Sequence, residues 1–380
     1  MVAQATDVGR YVVPNRHCFK IEYLDAFDFL SEEFQTLYET SNATVFQHPL
    51  WLHLMYQNLI PKCGVDPVII TVRDPNNGSL KSVLPLVRSS YVGLSCIEPA
   101  DLGICDYNAA ITVKELGDDL LSDDRLREKI INELRPVHLI FFRKVSKSCE
   151  VIEQMLGEGD VGVMESCAHD VDLFAPYEDW KKAIMSSSFR KTLRRNRRKL
   201  EEFGEVSYEV LDDPVEIQLA MDLMREQRSA RYDDDLFQQD AFFDFYSKVA
   251  KEGARIGLAQ TSILRAGGDV VAVEFGLIHN HCYHFILGGI TEGRYAKLSP
   301  GILAMDYVLE FRAEQGDLRA DFTIGDEAYK ARFGATPTPL KHMAQAESLM
   351  GSLALQAYNQ GGLIKTIAKK VVNMTSQRFG

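Results

Sequence analysis

Three polar side chains follow one predicted strand within a few residues of its end. Residues 321–325 have the pattern of a buried strand closed by a glycine, and Asp326, Tyr329 and Lys330 come next on a short predicted helix. A tyrosine hydroxyl placed there could protonate a leaving thiolate or orient a nucleophile. Alternatively, Asp326 only caps the helix and Tyr329 packs against the sheet. The spacing leaves both interpretations open.

A second polar group precedes the helix that leads into this strand. Ser299 is a good N-cap, Pro300 suits the first helical turn, and Gly301 lets a backbone or a ligand approach closely. Arg294 and Lys297 flank the free N–H groups of this helix start, a combination that suits a pyrophosphate. The alternative is a well-capped helix with two solvated cations.

Polar residues also interrupt two apolar strands in the middle of the second half. Glu274 lies in the predicted strand 270–278, and Tyr283 and His284 lie in the strand 282–287. A buried carboxylate must be partnered or functional. Because an amine nucleophile has to lose a proton, Glu274 and His284 are candidate bases. A single histidine on a strand is more often a hydrogen-bonded structural residue.

Residues 190–199 carry seven Arg and Lys side chains on a predicted helix, Arg194 among them, in a chain of net charge −12. Like charges at i, i+4 repel, so an anion-binding role is favoured over a merely solvated face. The net charge argues against nucleic acid, and no aromatic side chains alternate with these cations to stack on bases.

The order of elements indicates how these groups are positioned. Residues 24–58 predict two helices, and the turn 74–78 predicts a hairpin. The second half predicts helices at 177–203, 213–231, 238–252 and 300–315 and strands at 206–211, 255–264, 270–278, 282–287 and 318–323. A meander followed by one crossover helix predicts an antiparallel sheet with one parallel pair, which is the order of the GNAT acyltransferase fold.

Bulk properties indicate an ordinary folded α+β protein. With 380 residues, 46% hydrophobic and 25% charged, the chain is long enough for two domains. Seven cysteines are scattered without a C-x-x-C pair, which predicts reduced thiols and no metal site. No stretch reads as a secretory signal or a spanning helix, so we expect a cytoplasmic protein.

The last segment differs in composition from the rest of the chain. No acidic residue follows Glu347, and apolar residues recur at helical spacing beside lysines. This pattern predicts either a weak membrane-surface helix, with peripheral contact at the inner membrane, or a helix that docks on the protein's own core.

Three motifs together resemble a known family, the bacterial GNAT-type acyltransferases labelled CelD-like or BioF2-like, which are related to Fem aminoacyl transferases. The likeness covers about 175–340, with weaker matches around Trp51 and at Asp106 and Tyr107. The motifs are Ser186…Phe189-Arg190…Leu193-Arg194-Arg195…Arg198…Gly204, Tyr295…Leu298-Ser299-Pro300-Gly301, and Asp321-Phe322…Gly325-Asp326-Glu327…Tyr329-Lys330…Phe333.

The resemblance implies a site in the second of two tandem GNAT-like domains or in the cleft between them. Tyr329 matches the position where a GNAT general acid often lies, and residues 294–301, with Arg194, match the place of the cofactor's pyrophosphate. The usual Gly-rich loop is replaced by Ser299-Pro300-Gly301, which leaves acyl carrier protein and aminoacyl-tRNA as alternatives to acyl-CoA. Candidate acceptor-binding residues are Lys330, Asp106, Tyr107, Trp51 and Tyr283.

We therefore predict domains at 1–168 and 169–345, both GNAT-like with mixed, mostly antiparallel sheets, and a helical tail at 346–380. The predicted function is N-acyl transfer from a thioester co-substrate, with no permanently bound cofactor, to an amino sugar or a sphingoid-type lipid precursor. Glu274 or His284 would be the base, backbone N–H groups near 287–289 would bind the oxyanion, and Asp326 and Lys330 would position the acceptor. The alternatives are aminoacyl transfer from tRNA and a non-catalytic scaffold for polysaccharide biosynthesis.

Overall fold

The computed structural model describes residues 19–114, 116–118, 124–146, 149–156, 159–229 and 235–359. The predicted tail helix beyond residue 359 lies outside this part of the chain. Within the described residues, no helix is long and apolar enough to cross a membrane.

The first sheet is built mainly from the first half of the chain. Its strand order is β1-β2-β3-β4-β6-β15-β7, with β5 beside β3; among the residues that the structure describes, one pair is parallel, β4 with β6. The predicted hairpin at 74–78 joins β2 and β3. The bounds are β1 Lys20–Leu24, β2 Asp66–Arg73, β3 Leu80–Tyr91, β4 Leu94–Pro99, β5 Ile111–Thr112, β6 Leu139–Val145, β7 Asp160–Val163 and β15 Lys341–Ala346.

The second sheet has the strand order β14-β8-β13-β12-β11-β10-β9, and its only parallel pair within the described residues is β12 with β13. This confirms the predicted meander with one crossover. The fold is mixed α+β with two mostly antiparallel sheets. The bounds are β8 Ala168–Asp172, β9 Val206–Leu211, β10 Ala259–Ala266, β11 Asp269–His279, β12 Cys282–Ile290, β13 Arg319–Ile324 and β14 Thr336–Thr338.

The helices cover the faces of these sheets. The first predicted helix starts only at Glu32, because residues 28–31 form a turn in which the Asp28 side chain accepts from the Leu30 N–H at 2.9 Å. The bounds are α1 Glu32–Thr40, α2 Pro49–Leu54, α3 Asp124–Leu134, α4 Glu150–Leu156, α5 Tyr177–Ile184, α6 Ser187–Glu201, α7 Pro214–Ser229, α8 Asp240–Arg255, α9 Pro300–Glu314, α10 Ala328–Arg332 and α11 Leu349–Asn359.

A strand from the end of the second half completes the first sheet. Strand β15, late in the sequence, pairs with β6 and β7 of the first sheet. The second sheet is built from residues 168–338, with β8 beside β13 and β14. One hydrophobic core also spans both halves, from Phe29 to Leu340. This shared core holds loops of the first half against strands of the second.

Candidate functional site

Strands β12 and β13 separate part-way along their length. Their parallel pairing runs from Cys282 opposite Arg319 to His284 opposite Asp321, after which β12 continues to Ile290 without β13. On its other side, β12 has one extra residue at Ile286, since Leu287 pairs with Phe275 and Phe285 with Gly276. Such a bulge leaves the extra residue without a cross-strand partner and disrupts the ladder locally. It adjoins the 287–289 segment predicted to bind an oxyanion.

A buried hydrogen-bonded group lies at the point of separation. His284 Nδ1 is 3.1 Å from Asp321 Oδ2, and the Tyr107 hydroxyl donates to Asp321 Oδ1 at 2.8 Å. The backbone N–H of Thr323 donates to the same Oδ1 at 2.7 Å. A carboxylate only accepts hydrogen bonds, so Nδ1 carries the proton and Nε2 is left for another partner. The first half of the chain thus supplies one member of this group, Tyr107.

Asp106 has the titration behaviour expected of a base. It is half-buried, and burial raises the pKa of its carboxyl to about 6, although Lys144 and the Thr323 side chain lower it in part. The negative Asp321 carboxylate nearby raises it further. A carboxyl with this pKa is ionised at neutral pH and retains enough basicity to take up a proton.

Unlike Asp106, His284 and Tyr107 keep their protons at neutral pH. Burial alone would lower the pKa of His284, but Cys282 and the hydrogen bond to Asp321 raise it to about 10. Burial and the Asp321 carboxylate also hold the pKa of the Tyr107 hydroxyl far above its ordinary value. At neutral pH both side chains therefore carry a proton that they can donate.

Glu274 and Tyr283 lie on the other face of the same sheet. Leu277, the pairing partner of His284, shares a face with Phe275, so Glu274 points to the opposite face, where it meets Tyr283. Burial raises the pKa of Glu274 well above its ordinary value, and Oε2 has no hydrogen-bond partner among the described residues. The structure therefore separates the two predicted bases and places Glu274 and the predicted acceptor residue Tyr283 on the face of the sheet opposite His284.

Replacing Glu274 with Gln is expected to leave the pH–rate profile unchanged and to reduce the pH dependence of stability. The folded protein keeps the Glu274 proton at pH values where the unfolded chain, with its ordinary value of 4.5, has released it. The free energy of unfolding of the wild type should therefore fall as pH rises above 4.5, and Gln removes this contribution. Urea unfolding below pH 4.5 and near neutrality tests this. An equal pH dependence in both proteins would contradict it.

The contacts of Lys330 hold the backbone at the end of β13. Its ammonium is buried and donates to the carbonyls of Thr323, Ile324 and Gly325 at 3.2, 3.0 and 2.9 Å, and it pairs with Glu327 at 3.0 Å. These bonds fix the end of β13. They use the ammonium N–H groups that would otherwise bind the amine substrate. The structure therefore favours a structural role for Lys330 over the predicted role in substrate binding.

Asp326 and Tyr329 lie beside this strand end. Asp326 is exposed and reaches the backbone N–H of Cys167 at 3.4 Å and His169 Nε2 at 3.6 Å. The Tyr329 ring is half-buried and lies edge-on to Phe322, with ring centroids 6.2 Å apart. The packing alternative for Tyr329 therefore has structural support, and its role as a general acid stays a prediction.

The start of α9 lies at the open end of the separated strands. A side chain at Gly301 would meet Ile290, the last residue of β12, at 3.2 Å. Ser299 occupies the N-cap position with a left-handed φ of 55°, and its side chain makes no capping bond. Both the strained backbone and the uncapped first turn are typical of an anion site. Lys297 is exposed there, whereas Arg294 is paired with Asp269.

Helix α6 places its cations next to this helix start. The buried Asn196 amide donates to the carbonyl of Leu298 at 2.9 Å. Arg197 turns inward to Asp306, whereas five cations of the same helix are exposed: Lys191, Arg194, Arg195, Arg198 and Lys199. The structure thus brings together the two anion-binding segments that the sequence predicted separately.

Trp51 belongs to the core. It is fully buried, with edge-to-face contacts to Phe46 and Phe245 at centroid distances of 5.4 and 4.9 Å. The predicted contact of Trp51 with an acceptor therefore has no support from its surroundings.

A cleft of about 640 Å³ lies between the two halves, at the place where β4 and β6 separate. Tyr91, Glu98 and Arg143 line its wall, and the Tyr91 hydroxyl donates to Glu98 at 2.7 Å. Its floor includes Asp101, which pairs with Lys144 at 3.5 Å. Lys144 also donates to the carbonyl of Cys105 at 2.6 Å. One short loop, 101–107, therefore joins the cleft to the group around Asp321.

Comparison with known proteins agrees with this architecture. A family model described as an acetyltransferase (GNAT) domain matches residues 187–331, the range that contains the separated strands and α9. Residues 187–331 are therefore similar to a GNAT-type acetyltransferase domain. The predicted class of enzyme, an acyltransferase, is confirmed at this level. Curated proteins give no match.

Solved structures show the same fold over most of the chain. FemX has a TM-score of 0.56 at 10% identity, over 84% of this chain and 96% of FemX. A protein of unknown function from Bacteroides thetaiotaomicron has 0.55 at 14%, over 86% and 100%. The C-terminal domain of a putative lysylphosphatidylglycerol synthetase from Agrobacterium fabrum has 0.52 at 13%, over 82% and 93%. At these identities the likeness concerns the fold alone, and the CelD-like or BioF2-like assignment stays a prediction.

Sequence reasoning named Asp321 only as part of a motif and did not consider Lys144, Asp101 or Glu98. Asp101 and Asp106 fall in a short segment that contains Gly103, which is the composition of a loop that carries function. This composition predicts that the 101–107 loop carries functional residues. No sequence signal indicates that Tyr107 meets Asp321, since they are 214 residues apart.

Proposed function

We propose that this protein is an N-acyltransferase of cell-envelope biosynthesis. It would move an acyl group from acyl-CoA or an acyl carrier protein to the amine of an amino sugar or a sphingoid-type lipid precursor. The observation that carries the proposal is the buried His284–Asp321–Tyr107 group at the point where β12 and β13 separate. A thioester bound between the separated strands β12 and β13 would have backbone N–H donors on one side and acidic side chains on the other.

The residues around the separation supply each step of such a transfer. Asp106 takes the proton from the attacking amine, because its pKa of about 6 leaves it ionised at neutral pH. Backbone N–H groups at and after the Ile286 bulge would stabilise the oxyanion of the tetrahedral intermediate. His284, protonated in its pair with Asp321, and Tyr329 are the two candidate donors of a proton to the leaving thiolate.

The donor and the acceptor would approach from different sides. The start of α9 and the exposed cations of α6 suit the phosphates of the donor. The cleft lined by Glu98 and Arg143 suits a polar acceptor, whose amine would reach Asp106 along the 101–107 loop. Thiolate loss and amine addition then occur in the space between the two halves.

A thermal-shift series with acyl-CoAs of increasing chain length tests the proposal, followed by thiol release with amine acceptors. A ligand that binds only the folded state stabilises it by about 2.7 kcal/mol at one hundred times its Kd. We expect the melting temperature to rise with at least one thioester. If no thioester shifts it, a non-catalytic scaffold is the better interpretation.

Aminoacyl transfer from tRNA is the second candidate. The five exposed cations of α6 favour it, and FemX shares the fold. Binding to an RNA through these cations should weaken steeply with salt. A flat salt response of charged-tRNA binding, or turnover with an acyl-CoA alone, would remove this candidate.

A further inference from the structure

Helix α11, residues Leu349–Asn359, carries a row of exposed apolar side chains. Leu349, Met350 and Leu353 are 86%, 50% and 66% exposed. They are spaced i, i+1 and i+4 and therefore share one side of the helix. A contiguous apolar surface of this kind marks a contact with a membrane or a partner.

The opposite side of α11 is fixed to the first sheet. A side chain at Gly351 would come within 1.8 Å of the carbonyl oxygen of His138, so the helix backbone lies directly against the chain there. Tyr358 packs edge-on to Phe141 and His342, with centroid distances of 4.9 and 5.2 Å. The exposed row therefore has a fixed orientation, away from the sheet.

The charge of the sequence after Glu347 indicates which kind of partner this apolar surface would bind. The 33 residues after Glu347 contain no acidic residue and four basic ones, Lys365, Lys369, Lys370 and Arg378, in a chain of net charge −12. The apolar row and these cations follow one another along the chain. An apolar helix face that is followed along the chain by basic residues suits a surface of anionic lipid.

The buried side of α11, opposite the apolar row, shares a small core with one wall of the cleft. Tyr91 and Leu94 pack against the same small core as Leu355 and Tyr358 of α11. Tyr91 is in turn a wall residue of the cleft and donates to Glu98. A membrane in contact with the apolar row would therefore be separated from this part of the molecule by the thickness of α11, about 10 Å.

We propose that Leu349, Met350 and Leu353 insert into the surface of an anionic membrane and bring the cleft to that surface. The acceptor amine is then carried by a lipid and enters the cleft from the bilayer. The inference that a lipid carries the acceptor amine rests on the proposed acyl transfer, whereas the inference of membrane binding does not.

Vesicle flotation tests the membrane contact. The full chain, the variant Leu349→Ser/Leu353→Ser and the control Val215→Ser/Leu219→Ser are mixed with vesicles of equal parts phosphatidylglycerol and phosphatidylcholine, or of phosphatidylcholine alone. Val215 and Leu219 on α7 are exposed to a similar extent, 66% and 62%, so the control loses similar apolar surface. We expect the wild type and the control to float with the anionic vesicles. The α11 variant should bind at least about tenfold more weakly, because each inserted leucine contributes favourable transfer energy.

Three results would overturn the proposal: no flotation of the wild type with anionic vesicles, equal flotation of the α11 variant, or an equal loss in the control. Flotation needs no turnover, so its outcome is independent of the acyl-transfer tests. A protein that floats but binds no thioester would retain the membrane contact and lose the proposed function. A protein that binds thioesters but does not float would retain the proposed function and lose the membrane contact.

Discussion

Replacing Asp106 with Asn is expected to lower kcat for acyl transfer by about 10²- to 10⁴-fold, the usual contribution of a general base. The amide cannot take the proton of the attacking amine, yet it keeps the size of the carboxyl group and loses only the charge. The measurement is steady-state thiol release with the thioester and amine that the screen identifies.

The pH profile makes this prediction specific to Asp106. In the wild type the rate should rise with pH through about 6, the pKa of the Asp106 carboxyl, and then level off, because only the ionised form accepts a proton. Asp106→Asn should lack this rise. The control Asp179→Asn changes an exposed carboxylate on α5 and should keep both the rate and the profile. A rise through pH 6 that persists in Asp106→Asn would contradict the assignment.

Replacing Arg197 with Met is expected to destabilise the protein by about 3–5 kcal/mol, the cost of leaving a buried charge without its partner. The Asp306 carboxylate is fully buried and pairs with Arg197 at 2.5 Å, and it accepts a hydrogen bond from Tyr177 at 2.9 Å. Burial raises the pKa of Asp306, and Arg197 is the main group that opposes this. Without it, Asp306 must be buried as an unpaired charge or take up a proton.

Thermal unfolding measures this loss, which corresponds to a fall in melting temperature of about 4–6 °C for a chain of 380 residues. The matched control is Arg198→Met, since Arg198 is the next residue on α6 and is exposed. It should change stability by less than about 0.5 kcal/mol. Equal effects of the two substitutions would show that the Arg197–Asp306 pair does not hold α6 to α9.

Local patterns predicted the elements of the second half closely. The Ser299-Pro300 pair marks the observed start of α9, and the predicted strands 270–278 and 282–287 correspond to β11 and β12. Such features depend on neighbouring residues alone, because proline geometry and apolar periodicity act within one element. The start of α1 was predicted too early, since the apolar spacing of Phe27, Phe29 and Leu30 continues through a turn that the Asp28 side chain closes.

The candidate site was predicted only in part. His284, Asp106 and Tyr107 were named, but the group that joins His284 to Tyr107 depends on Asp321, which had no assigned role. The roles of Lys330 and Trp51 depend on burial, which spacing along the chain does not reveal. Glu274 and His284 looked equivalent as strand residues, yet they lie on opposite faces of the sheet.

The sequence by itself determined the class of fold and the segments proposed to bind the donor's phosphates, because both follow from local periodicity, proline geometry and charge. Only the tertiary structure decided which polar residues share the candidate site. That choice depends on the separation of β12 from β13, on the pairing of the late strand β15 with the first sheet, and on the contact of Tyr107 with Asp321. Tyr107 and Asp321 are 214 residues apart, and burial in the space that they share with Asp106 raises the pKa of the Asp106 carboxyl.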